Sequence, residues 1–442
     1  MQLKIKLFYW ILICLLLSSS QLIAQAYSVD SLMVLYQKKA EKFLVKSSYV
    51  NRLFKIDYRG IHIYTSYSRK QIDHPEFTLD WHDLETFKRV IKYSSVDYQY
   101  EMYRKNAFDI FDSTMIRVAD ILEQNHFRPP VGTLKPLSGL RIAIDPGHIA
   151  GDLRTAKAEG RFVEMTTSSG ETLSIFEGEL TLSTALVLKD SLEKHGAEVM
   201  LTREEGNQSA IGVSFQYWRR NYLPGVLRRR GYSKEKALSI VKNAPEGYIF
   251  SKFFNAIDLQ ARARKIDEFK PNFTIVLHFN ADITNKGWQR PSQKNYSMMF
   301  IPGGYLHNEL NNPRARFEFL RSLVTENIEE STHLSSCVLN EMEASLGVPK
   351  VAEDENLHYL ERYSMKVEDG IYARNLKLCS TLNSPICYGE ALIQDNEEEL
   401  RELSKNDLKN GIIAPRIQQV ANAYFKGILQ YVKQRQQDKD YW

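Results

Sequence analysis

Two histidines and a few carboxylates carry the chemistry this sequence can do. Ile142-Ala143-Ile144-Asp145-Pro146-Gly147-His148 sets an imidazole just past a buried apolar run, where a tight Pro-Gly turn holds it at the rim. Phe273-Thr274-Ile275-Val276-Leu277-His278-Phe279-Asn280-Ala281 repeats the arrangement with a second imidazole. Between them, Ile175-Phe176-Glu177-Gly178-Glu179-Leu180-Thr181-Leu182 supplies a carboxylate at the opening of a helix. Two imidazoles and one carboxylate are a donor set of catalytic zinc sites, which keep a fourth position for water. Each is weak evidence alone, because most of the ten histidines in the chain are expected at the surface or hydrogen-bonded within the fold.

Such residues need a scaffold that gathers strand ends. Residues 140–145, 197–202, 273–278, 297–301 and 386–389 read as short apolar strands. Helical spacing marks 179–194 and 259–269, with further helices around 313–345 and 407–434. This alternation predicts an α/β domain, a mostly parallel twisted sheet flanked by helices. In such sheets chemistry collects at the carboxyl ends of the strands, where both histidines fall. Upstream, residues 128–136 hold three prolines and a glycine and break any regular element. The segment before them reads as a small α+β unit, with helices over 30–46, 82–93 and 107–125 and a strand over 60–66. The expected layout is a signal peptide over 1–26, an N-terminal unit over 27–127, a linker over 128–138, a catalytic domain over 139–434 and a tail over 435–442. No role for the N-terminal unit is legible.

The motifs follow one another in a definite order. Asp145-Pro146-Gly147-His148 comes first, then Glu177-Gly178-Glu179-Leu180-Thr181-Leu182, Leu201-Thr202-Arg203, and Leu259 with Arg262. His278-Phe279-Asn280-Ala281 and Pro385-Ile386-Cys387-Tyr388-Gly389-Glu390, followed by Asn396, complete the series. Over residues 139–434 the chain resembles the zinc-dependent N-acetylmuramoyl-L-alanine amidases of the type 3 group. The resemblance implies a Zn2+ cofactor held by His148, Glu177 and His278, with Glu390 as the catalytic carboxylate and Asn280 and Arg262 as substrate contacts. It implies hydrolysis of the amide between N-acetylmuramic acid and L-alanine in peptidoglycan. The residue types suit that task. Zinc acidifies water and polarises a carbonyl, and a carboxylate beside the water can take its proton and pass it to the leaving amine.

The sequence departs from the family pattern in several places. Ile149-Ala150-Gly151-Asp152 follows the first histidine where the family has a Gly-Gly pair with an Asp soon after. The stretch up to Glu177 is long and offers Glu159, Glu164 and Glu171 as rival ligands, with Glu179 the second choice. After Glu390 the family's Gly-Phe is replaced by Leu392-Ile393. Two insertions stand out. Residues 204–255 carry nine Lys and Arg against four Glu, interleaved with aromatics. That composition suits either a surface for a sugar strand bearing acidic stems, a lid, or a helical subdomain with a solvated basic face. Residues 282–368 contain one or two long helices over 314–346. By their place, matching the inhibitory helix of some cell-division members, they are expected either to control access to the zinc until an activator protein releases it or to support the fold. Two readings compete with the amidase: an inactive relative that binds peptidoglycan or recruits a partner, and a zinc peptidase or deacylase acting on another exported amide. Retention of both histidines, Glu177 and Glu390 weighs against the first.

Composition narrows the setting. A hydrophobic fraction of 43% and a charged fraction of 25% are those of a globular chain, not a disordered or fibrous one. Lys4 and Lys6, the apolar run over 7–17 and Ala24-Gln25-Ala26 predict an export signal cleaved before Tyr27. The protein is therefore expected in the periplasm or outside the cell. The apolar run is shorter than the ~20 residues that span a bilayer, so no stable membrane insertion is expected after cleavage. Losing Lys4 and Lys6 takes the formal charge from +4 to +2, too little to call for nucleic acid as a partner. Cys337, Cys379 and Cys387 then remain, an odd number without a CxxC pair. Buried free thiols are the expectation, with one Cys379–Cys387 bridge left open.

Overall fold

Strands that are apolar on both faces must be covered on both sides, and residues 141–146 and 273–280 are of this kind. The computed structural model describes residues 28–106, 135–285, 290–355 and 357–437. The signal peptide, the helix expected over 107–125, most of the linker and the end of the tail lie outside the described residues.

Near the N-terminus, helix α1 (Val29–Lys39) precedes three antiparallel strands, β1 (Phe54–Ile56), β2 (Gly60–Ile63) and β3 (Phe77–Asp80). β4 (Arg141–Pro146) then begins the main sheet. It is followed by helix α2 (Leu153–Glu159) and a separate hairpin of β5 (Phe162–Thr166) and β6 (Thr172–Phe176). Helix α3 (Glu177–Lys194), β7 (Glu198–Leu201), helix α4 (Asn255–Phe269), β8 (Phe273–Asn280) and β9 (Met298–Ile301) come next. Helices α5 (Pro313–Val324) and α6 (Asn327–Leu346) lead to β10 (Ser364–Glu368), β11 (Ile371–Arg374), β12 (Ile386–Ile393) and helix α7 (Pro415–Gln437).

The seven-stranded main sheet has the order β10-β11-β9-β12-β8-β4-β7. Parallel pairing joins β7 to β4, β4 to β8, β8 to β12 and β9 to β11. β9–β12 and β10–β11 are antiparallel, so the sheet is mixed but mostly parallel, as expected. Because strand side chains alternate, Ile142, Ile144, Ile275, Leu277 and Cys387 join one apolar cluster with α3, α6 and α7. Ala143, Val276 and Ile386 enter another with α4 and the short helix Lys377–Thr381. His278 and Glu390 share this second face by the same alternation.

Of the two readings of the second insertion, this arrangement agrees with support of the fold for its long helix α6. Helix α6 packs on the first face, opposite the one that bears His278 and Glu390, while α5 packs against the N-terminal unit and the short helix Lys377–Thr381, and the same insertion supplies β9 and β10 to the sheet. α6 thus supports the sheet and does not cover the histidines. The first insertion forms short helices with an apolar centre of its own, in which Phe215, Trp218, Leu227, Phe253 and Phe254 pack with Ile149 and Ala158. Its phenylalanines are core, whereas Tyr217, Tyr222 and Tyr248 are exposed. The N-terminal unit rests on α5 and α6. Phe54 meets Phe319 with ring centroids 5.1 Å apart, Tyr103 meets Phe317 at 5.5 Å, and the buried Lys39 ammonium pairs with Glu329 at 2.8 Å. The three cysteines are buried and free, so no Cys379–Cys387 bridge forms.

Candidate active site

The turn after β4 is built around a close approach. A Cβ on Gly147 would stand 2.3 Å from His278 Cε1 and 2.6 Å from the Leu277 carbonyl oxygen, so glycine is needed for the two histidines to meet. His148 then takes a φ of 60°, a left-handed conformation uncommon outside glycine. Two guanidiniums hold this turn from behind. Arg262 on α4 donates to the carbonyls of Pro146 and His148, each at 2.8 Å, and pairs with Asp145 at 3.0 Å and Asp258 at 2.7 Å. Arg203 donates to the carbonyls of Pro146 and Gly147 at 3.2 Å and of Gly178 at 2.6 Å. Arg262 is only 2% exposed, which corrects the expectation that it touches substrate: its donors are occupied by the frame of the site.

His278 lies in β8 directly across from Glu390 in β12, so parallel register puts both side chains on one face. Glu177, the first residue of α3, comes up against them because a Cβ-free Gly178 packs 2.4 Å (from its ideal Cβ position) from the Ala150 amide. The structure thus brings His148, Glu177 and His278 together. His148 Nε2 lies 3.2 Å and His278 Nδ1 3.0 Å from the same Glu177 oxygen. The two rings are nearly perpendicular, with centroids 4.8 Å apart. Donors bonded tetrahedrally to zinc at about 2.0–2.1 Å stand roughly 3.3 Å from one another, so the spacing and chemistry of this set fit that ion. Of the rival carboxylates, Glu164 and Glu171 are exposed on the hairpin. Glu179 instead accepts hydrogen bonds from the Leu408 amide at 2.8 Å and the Asn406 side chain. Glu159 lies 3.0 Å from His148 Nδ1, on the side of the ring away from Glu177.

Charge is concentrated here. Burial opposes a proton on His148, but the Glu177 and Glu159 carboxylates prevail and lift its pKa to about 9. Burial likewise works against charge on Glu177, yet His148 and His278 hold it well below the usual carboxylate range. His278 is shifted down by burial, partly offset by its contact with Glu177. Burial and then the Glu177 charge push Glu390 up to about 8, with His148, Arg161 and Arg374 working in the other direction. The site therefore favours a positive charge between its two histidines at neutral pH, which also suits a metal cation.

Several flanking residues were not singled out in the sequence. Tyr388 stacks flat on His278, with centroids 4.7 Å apart and planes 6° apart. Arg161, just before β5, sits 3.9 Å from Glu177 because the hairpin folds Phe162 against Phe176. Arg374 lies over the rings of Phe300 and Tyr359 at 5.4 and 5.5 Å. Burial pushes the phenol of Tyr359, from the short helix His358–Tyr363 of the second insertion, up to about 12, with the Glu390 charge adding to the shift and Asn280 opposing it. Asn280, at the end of β8, is half-buried, and its side-chain oxygen accepts from the Ala281 amide at 2.8 Å.

The family model described as N-acetylmuramoyl-L-alanine amidase matches residues 142–430. No curated protein matches the chain. Among solved structures, similarity is found to the CwlD amidase from Clostridioides difficile in complex with the GerS lipoprotein, with 16% identity, 66% of this chain and 98% of that chain covered, and a TM-score of 0.37. The N-acetylmuramoyl-L-alanine amidase AmiC2 of Nostoc punctiforme is 15% identical over 67% of this chain and 99% of its own, with a TM-score of 0.36. The amidase Ami1 from Mycobacterium smegmatis is 15% identical over 67% and 99%, with a TM-score of 0.38.

Proposed function

The chain belongs to the N-acetylmuramoyl-L-alanine amidase family, and we propose that it is an exported zinc hydrolase that cuts the amide between N-acetylmuramic acid and L-alanine in peptidoglycan. The observation that carries the proposal is the convergence of His148 Nε2 and His278 Nδ1 on one Glu177 oxygen, on the sheet face that also bears Glu390. His148, Glu177 and His278 would hold the ion. When bound, zinc supplies Lewis acidity toward water and toward the scissile carbonyl.

The chain's own residues account for the proton traffic. Glu390 keeps partial solvent access and stands opposite His278, separate from the three-residue donor group. Its raised pKa suits a group that takes a proton from water and returns it to the leaving amine, since a base works best near the operating pH. The positive charges of Arg161 and Arg374 reach Glu390, which suits a peptide stem bearing carboxylates. Asn280, the second proposed substrate contact, lies at the same strand end and is half-buried. Export rests on the N-terminal sequence signal; no helix of the described residues is long and apolar enough to cross a membrane. Control by an activator protein belongs to the same proposal. The test is metal content: the purified chain should carry about one zinc, lose activity on chelation and regain it with zinc, and His278→Ala should abolish both. Full zinc occupancy in His278→Ala would refute the ligand set.

A further inference from the structure

Glu159 is more deeply engaged with His148 than a neighbouring carboxylate needs to be. One oxygen stands 3.0 Å from His148 Nδ1, while the other accepts from the backbone amides of Ile149 at 3.2 Å and Ala150 at 3.3 Å. Its side chain is only 6% exposed. These contacts grip both the imidazole and the chain just after it, at the one donor residue whose backbone is left-handed.

The carboxylate is itself firmly mounted. Glu159 is the last residue of α2, whose first turn is capped by Asp152 accepting from the Thr155 amide at 2.7 Å, and Gly160 closes the helix with a φ of 70°. Asn207 ties this loop down, accepting from the Gly151 amide and donating to Asp152, each at 2.8 Å. On its outer side α2 is held by the first insertion: Ala158 enters that insertion's apolar core, and Arg154 pairs with Glu246 at 2.6 Å. The departures from the family pattern after His148 and the first insertion thus meet on a single helix.

We propose that Glu159 is a positioning residue for the metal site, and that the first insertion serves to brace the helix that carries it. By accepting from Nδ1, Glu159 fixes the tautomer of His148 that leaves Nε2 free to donate a lone pair on the side facing Glu177. A carboxylate in this outer position orients the ring and strengthens the ligand, and removing such a partner typically weakens metal affinity by about 10–100-fold. The inference rests on the zinc reading of the site, so the two must be separable by experiment.

Zinc affinity would be measured by competition with a chromophoric chelator for the wild-type chain, Glu159→Ala, Glu159→Gln and His278→Ala. The expected result is one zinc per chain in Glu159→Ala at saturation but with a Kd raised about 10–100-fold, and a smaller rise in Glu159→Gln, whose amide oxygen can still accept from Nδ1. Arg154→Ala, which loosens α2 without touching His148, should weaken zinc binding by a smaller factor. Wild-type affinity in a folded Glu159→Ala would overturn the proposal, as would loss of zinc as complete as in His278→Ala, which would make Glu159 a ligand. If Glu159→Ala fails to fold, Glu159→Gln together with long-range 1H–15N spectra of the zinc-loaded wild type decides: Nδ1 protonated and Nε2 metal-bound supports it, the reverse overturns it. Failure of the wild type itself to bind zinc would instead refute the underlying reading.

Discussion

Glu177 and Glu390 lie close to the same pair of histidines, and their surroundings drive their acidities apart. Two imidazoles press on Glu177 and keep it ionised, whereas Glu390 faces that fixed negative charge in a partly dry site and is pushed up to about 8. Such a split marks one group for holding a cation and the other for moving protons. Glu390→Gln should therefore retain zinc, measured by elemental analysis, while turnover of peptidoglycan falls by ~10²-fold or more; loss of zinc in that variant would make Glu390 a ligand. The metal-free protein offers a second check. Burial and the Glu177 charge push the carboxyl from its ordinary 4.5 up to about 8 in the fold, so between those values the native state binds the extra proton. The contribution of Glu390 to stability is full below its unfolded pKa and is lost as pH rises through its folded one. Denaturation of metal-free wild type and Glu390→Gln across that window should show the wild type losing stability relative to the variant as pH increases. Parallel curves would contradict the assignment.

At the scale of elements, the part of the site legible in the sequence is the part that lies on regular structure. His148, Glu177, His278 and Glu390 sit at a strand end, a helix start and paired positions of β8 and β12, and apolar runs announce all of these. The hairpin of β5 and β6 is missed although Val163 and Met165 alternate with polar neighbours, as do Leu173 and Ile175, around a Ser168-Ser169-Gly170 turn. With it go the places of Arg161 and Glu159. The role of Arg262 was not legible because a Leu-x-x-Arg helix looks the same whether its arginine faces substrate or buried Asp145 and Asp258. Arg262→Met should destabilise the fold by about 3–5 kcal/mol in chemical denaturation, the usual cost of leaving a buried charge uncompensated. An unchanged midpoint would contradict its structural role. Nor can an amphipathic pattern say which sheet face a helix covers. With α6 on the sheet face away from the histidines and α5 packed on the N-terminal unit, deleting 313–346 should yield insoluble or unfolded protein, and a soluble, more active product would restore the lid.

At the scale of the whole molecule, the sheet separates two jobs. One face carries α3, α6 and α7 and, through α5 and α6, the N-terminal unit; the other face and its strand ends carry the chemistry. A ligand that binds the folded chain alone raises its stability by mass action, so chelation should lower the melting temperature, and zinc should restore it in the wild type but not in His278→Ala. Identical melts with and without zinc would argue against a metal centre. The most direct test of the central claim is mass spectrometry of purified peptidoglycan after incubation with the zinc-loaded protein. Free peptide stems beginning at L-alanine, together with intact glycan strands lacking them, are the predicted products. Cleaved glycan, cuts within the peptide stems, or undigested wall in the presence of zinc would contradict the account.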